Sequence, residues 1–82
     1  MGRSEERIEV IAYSGYRGEE IPRTIFFQSQ RIEVIGILKR WIQERSDNRE
    51  TRRYYQFKGN DGNLHTIYYD EKVMEWFYIK KD

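Results

Sequence analysis

RIEVIGILKRWIQ, Arg31 to Gln43, decides whether this chain is all-β or mixed. Val34, Leu38 and Ile42 fall at i, i+4 and i+8, with Ile35 and Trp41 beside them, which is a helical stripe. Against a helix stand four isoleucines and one valine, which suit extended backbone, and Gly36 in mid-run. No amino-terminal cap stands near Arg31 except Ser29. The run reads as one long strand, bent or bulged at Gly36, so that its facing shifts and both ends reach the core. A short helix over 39–45 is the alternative.

On the amino-terminal side, RIEVIAY (Arg7 to Tyr13) alternates imperfectly and is β-branched, as a strand should be. SGYRGEEIPR follows, Ser14 to Arg23, with two glycines and the chain's one proline. Glycine permits backbone angles that other residues resist, and Pro22 cannot donate to a ladder. A loop over 14–20 and a strand over 23–28 fit both facts. Ile25 and Phe27 then share one face and Phe26 takes the other. Ser29 and Gln30 make the next turn.

On the carboxyl-terminal side, QERSDNRET (Gln43 to Thr51) is all polar and reads as a connecting loop. RRYYQFKGNDGNLHTIYYD, Arg52 to Asp70, sets two β-rich runs around Gly59 to Gly62. Asp61-Gly62 there offers the positive φ angles of a tight hairpin. Asp70 to Met74 is a second turn and Glu75 to Lys80 a final strand. Five or six strands at about ten-residue spacing predict a small antiparallel barrel or roll of the SH3-like kind.

At 82 residues the chain is expected to be one domain, 1–82, with a disordered start over 1–4. Such a short chain buries only about 60–65% of the surface its unfolded form exposes. It has no cysteine to staple it, so the core must come from its 4 Phe, 2 Trp and 7 Tyr. An exposed tryptophan is a common binding anchor, but in so short a chain Trp41 and Trp76 are assigned to the core. No apolar run approaches the length of a membrane span and no signal-like segment opens the chain, so the expectation is a cytoplasmic protein that does not enter membranes.

Catalytic machinery is sparse. His65 is the only histidine, has no local nucleophile beside it, and reads as an ordinary exposed strand residue. Neither GYRG nor GNDG has the strand-loop-helix setting of a phosphate-cradling loop. No set of His, Cys and carboxylates has metal-ligand spacing. The chain is read as a non-enzyme without metal or cofactor.

The charge is balanced overall, with 15 basic and 14 acidic residues, but unevenly spread. From Lys39 to Lys58 seven basic residues outnumber three acidic ones, so that segment is +4 and the remainder, from a total of +1, is −3. Within it, tyrosines alternate with cations in RRYYQFK. Small barrels stack single-stranded bases on such tyrosines and hold the phosphates with flanking cations. Arg52, Arg53, Tyr54 and Lys58 are the candidate nucleic-acid contacts. The plainer account is that one tyrosine of each pair fills the core and the other covers the outside. Tyr16 and Arg17, between two glycines, form a candidate loop site, although a turn with solvated charges explains that stretch as well. A protein partner, or a second copy pairing through exposed aromatics or a free strand edge, is the alternative function.

GYRGEEIPR, RIEVIGILKRWI and FKGNDGNLHTIYYDEKVMEWF together resemble a group of short bacterial proteins of unknown function. The shared features are a glycine-tyrosine-arginine-glycine turn (Gly15, Tyr16, Arg17, Gly18), a proline-arginine before the second strand (Pro22, Arg23), an arginine-tryptophan pair (Arg40, Trp41) and a closing aspartate-rich hairpin. The resemblance implies a stand-alone bacterial cytoplasmic domain and carries no activity with it.

Overall fold

Arg31 to Gln43 is strand throughout, part of β3 in a computed structural model that describes residues 3–14, 20–45 and 50–81. The six strands are β1 (Arg3–Ser14), β2 (Glu20–Phe27), β3 (Gln30–Arg45), β4 (Glu50–Gly59), β5 (Leu64–Asp70) and β6 (Glu75–Lys81). Each runs antiparallel to the next, and β1 returns to β6 to close a barrel. The fold is all-β and compatible with the SH3-like kind. Arg3 and Ser4, expected in a disordered start, pair with Lys81 and Lys80; Met1 and Gly2 lie outside the described residues.

Two strands turn the corners of this barrel by changing partners. Arg3 to Ile8 of β1 pair with β6, and Glu9 to Ser14 pair with β2. Gln30 to Glu33 of β3 pair with β2, and Val34 to Arg45 pair with β4. The second change is made by two bulges, which leave Ile35 and Leu38 as extra residues without a partner on β4. Each bulge converts a step of two into a step of three, so Val34, Ile37 and Arg40 share the face of Gly59, Phe57 and Tyr55. The helix over 39–45 does not form: Lys39 to Arg45 pair with β4 residue by residue. A third bulge, at Arg23 of β2, sits beside Pro22, which has no N–H to give.

The polar stretch expected as a loop over 43–51 is largely strand. Gln43, Glu44 and Arg45 pair with Arg52, Thr51 and Glu50, and 46–49 lie outside the described residues. The turn after β2 comes one residue earlier than expected, at Gln28 and Ser29. Their φ angles of 52° and 62° match the twist that a two-residue hairpin needs. In the Gly59–Gly62 turn only Gly62 has positive φ, at 83°; Asp61 does not. Gly62 N–H donates to Gly59 C=O at 3.0 Å and Gly59 N–H to Asn63 C=O at 2.9 Å. The hairpin is thus a three-residue loop rather than a two-residue one. Gly59 itself must be bare, because a Cβ there would lie 2.6 Å from Cγ2 of Ile32.

The core is Ile8, Ile25, Ile32, Tyr55, Phe57, Ile67 and Trp76, with Phe27, Tyr69 and Tyr78 packed against it. Phe26 faces out, on the face opposite Ile25, and that opposition is what the alternation predicts. Trp76 is buried as expected. Phe27 and Tyr78 stack with centroids 3.8 Å apart, and Tyr69 tilts against Trp76 at 5.0 Å. His65 is buried rather than exposed, which corrects the sequence reading. Its Nδ1 lies 2.6 Å from the Tyr78 hydroxyl and its Nε2 3.0 Å from the Asp61 carboxylate. The Nε2–H tautomer would accept from the phenol and donate to the acid. The Asn63 N–H bonded to Asp61 holds that carboxyl below its usual value, with His65 adding to the effect.

Gly62 gives the fold a direct check. Valine there must adopt a left-handed backbone that L-residues avoid, although nothing crowds the position. Gly62→Val is expected to lower unfolding free energy by about 1–2 kcal/mol in urea titration, with an unchanged slope.

Candidate binding surface

The outer faces of β3 to β6 carry a continuous row of rings. Trp41 lies opposite Tyr54, Tyr54 opposite Tyr68, and Tyr68 opposite Phe77. Successive centroids are 5.1, 5.0 and 5.1 Å apart, within the range in which aromatic pairs attract. The row behaves as a second, external core. Tyr54 keeps 7% of its surface exposed and Tyr68 2%, although both point away from the barrel interior. The Arg52 guanidinium lies over the Tyr68 ring at 4.9 Å, and the Tyr68 hydroxyl donates to Glu5 at 2.8 Å.

This arrangement separates the four residues proposed for nucleic acid. Arg52, Tyr54 and Lys58 share the outer face, while Arg53 alternates to the other face with Tyr55 and Phe57. Arg52 Nε sits 3.4 Å from the Asp70 carboxylate, near enough for charge attraction but without hydrogen-bond geometry. Arg53 donates to Glu71. Tyr54 is covered by its neighbours, so its ring face is not presented. Lys58 is exposed. Tyr16 and Arg17 lie outside the described residues.

A different surface emerges along β3. Ile35 is 65% exposed, Leu38 57%, Ile42 54% and Trp41 42%. The assignment of Trp41 to the core is therefore corrected: it ends the aromatic row at the sheet's margin. Beyond Glu33, no strand among the described residues pairs with the outer edge of β3. Where β3 leaves β2, Tyr13, Ile21 and Pro22 face Val34, Ile35 and Ile37 across a groove of about 610 Å³. Farther along, Arg40, Trp41, Ile42 and Arg53 border a hollow of about 320 Å³. The sequence held one sign of this edge. With bulges at Ile35 and Leu38, those residues are surplus to the inward-facing set.

Among the described residues, no three His, Cys, Asp or Glu side chains are grouped to hold a metal, and no helix is long and apolar enough to cross a membrane. Comparison with protein-family models, curated proteins and solved structures finds no match.

Two measurements test this surface. Because Trp41 is half out, Trp41→Ala is expected to leave a folded protein and cost about 1–2 kcal/mol, below the ~3–5 kcal/mol of a fully buried aromatic. Alkaline titration tests the covered tyrosines. Burial raises Tyr68, Tyr69 and Tyr78 above the usual tyrosine value, and the Glu5 contact raises Tyr68 further. The folded state thus favours the neutral phenols. Their stabilisation is whole below the unfolded value of ~10 and is lost as pH climbs toward the raised folded values. Tyrosinate absorbance should appear for these three together with loss of near-ultraviolet circular dichroism. Full ionisation with the fold intact near pH ~10 would contradict their burial.

Proposed function

We propose that this protein is a non-enzymatic binding domain that takes an extended polypeptide along the outer edge of β3. One observation carries the reading: a long strand whose outer edge has no neighbour among the described residues and which exposes four large apolar side chains. Unpaired N–H and C=O groups on an edge are a template for another strand, and the side chains beside them select what pairs. His65 supports the non-enzymatic part, since both of its ring nitrogens face Asp61 and Tyr78 in the barrel wall.

Single-stranded nucleic acid is the second reading, favoured by Lys39 and Lys58. Both are exposed and share the outer face with Trp41, which then replaces Tyr54 as the ring available to stack. With Arg52 they would neutralise about three phosphates, for a slope near −2 in log affinity against log salt.

Dilute protein titrated with a labelled peptide of alternating valine and glutamate, and separately with labelled oligothymidine, distinguishes the two. The peptide should bind and slow amide exchange across residues 38–44. Leu38→Lys with Ile42→Lys should abolish that binding while leaving oligothymidine unaffected or improved. Oligothymidine binding with the steep salt slope, and no peptide binding, would transfer the function to the second reading. Silence from both probes would reject the surface.

A further inference from the structure

We infer that the occupant of the β3 edge is a second copy of this chain, paired antiparallel about a twofold axis at Trp41. The inference rests on the polypeptide reading above and names the partner. Only part of the edge is regular. From Lys39 to Arg45 the register with β4 is unbroken, whereas bulges interrupt the strand at Ile35 and Leu38. A twofold axis perpendicular to the sheet must pass through a residue that faces itself, so the candidate centres are few.

Charge and the indole narrow them. A centre at Arg40 sets two guanidinium groups opposite each other. A centre at Ile42 offsets Arg40 opposite Glu44 with Lys39 opposite Arg45 of the second copy, and leaves each Trp41 facing Gln43. Like charges directly opposed across strands are destabilising. A centre at Gln43 shortens the seam and separates the indoles. With the centre at Trp41, Lys39 faces Gln43, Arg40 faces Ile42 and Leu38 faces Glu44 of the second copy. No like charges are directly opposed, and on the diagonals Arg40 meets both Glu44 and Arg40 of the second copy.

The aromatic row points to the same centre. Phe77, Tyr68, Tyr54 and Trp41 run across the sheet at near-constant spacing and stop at the free edge, with Trp41 42% exposed. Pairing at Trp41 places the two indoles opposite each other and continues the row into the second barrel. The two sheets then form one surface with an aromatic spine. The seam is short and lies at the low end of interface sizes, where a standard contact buries ~800 Å² per partner, so association is weak. Each arm also carries Lys39, Arg40 and Arg45 against Glu44, a net +2 facing +2. Added salt screens that repulsion and strengthens the dimer, the opposite of its effect on nucleic-acid binding.

Sedimentation velocity up to millimolar protein, with and without added salt, tests the association. The expected result is a monomer–dimer equilibrium favoured by salt and weakened roughly 30-fold or more by Trp41→Lys, as for a central aromatic anchor. The cysteine-free chain permits a register test that leaves Trp41 in place. Mixing Lys39→Cys with Gln43→Cys protein under mild oxidation should yield a disulfide-linked dimer. Either variant alone should not, because its two cysteines stand about 13 Å apart along the strands, beyond the ~7 Å reach of a disulfide. A monomer at every concentration overturns the dimer, and so does a dimer that survives Trp41→Lys or cross-links equally from either single variant. The peptide titration on dilute protein then decides the polypeptide reading separately.

Discussion

Between Glu33 and Val34, β3 gives up one neighbour and takes another, and the barrel depends on that exchange. Glu33 still faces Thr24 of β2, while on its other side it already meets the β4–β5 turn. Its C=O accepts from the Asn60 N–H at 2.9 Å, and its own N–H donates to Asn60 Oδ1 at 3.1 Å. For one residue the strand is held from both sides. A backbone leaving a ladder would otherwise carry unmatched polar groups into a half-buried corner, at a cost of about 1–3 kcal/mol each. Asn60 removes that cost where the chain bends. The tight fit of Gly59 against Ile32 follows from the same approach of turn to strand.

Once β3 has turned, the sheet it enters packs rings on both faces. Inside, Tyr55, Phe57, Tyr69, Trp76 and Tyr78 fill a space that would take many more aliphatic side chains. Outside, Tyr54 and Tyr68 are covered by neighbours on adjacent strands. A chain this short buries little apolar volume per residue, and a two-faced sheet increases it without a second layer. The folded sheet also pairs off cations. Arg52 lies on Tyr68 and faces Asp70, and Arg53 meets Glu71. The positive charge concentrated between Lys39 and Lys58 is thereby partly spent within the fold.

Local patterns made much of the barrel legible in the sequence. Period-two alternation separated Ile25 and Phe27 on one face from Phe26 on the other, and Gly62 marked the hairpin. Gly36, among β-branched residues, marked the irregularity that became two bulges. What escaped detection was set by pairing between distant segments. Polar Gln43 to Arg45 are strand because β4 lies opposite, which composition cannot show. Trp41 is outside because it lies opposite Tyr54, on the face away from Val34, Ile37 and Arg40, at a margin that β2 has already left. His65 looks exposed in a polar hairpin until Tyr78 and Asp61 are brought to its two nitrogens. Tyr54 looked available for stacking because its cover comes from residues on other strands. The candidate site was thus readable as chemistry, basic and aromatic, but not as a surface.

The order of the strands also bears on how the chain finds this structure. Every pairing but one joins neighbours in sequence, so hairpins form by closing short loops of low entropic cost. The exception is the seam between β1 and β6, which brings Arg3 to Lys81 and closes nearly the whole chain. Its side-chain ties are Ile8 against the core, Tyr68 to Glu5, and the ion pairs Arg7–Glu75 at 2.7 Å and Lys80–Glu6 at 3.0 Å, which are partly solvated and individually weak. An open six-stranded meander, with Glu9 to Ser14 of β1 already paired to β2, is therefore the form on which this seam closes last. The seam that completes the barrel is also where it opens first, with the hairpins from β1 to β6 still in place.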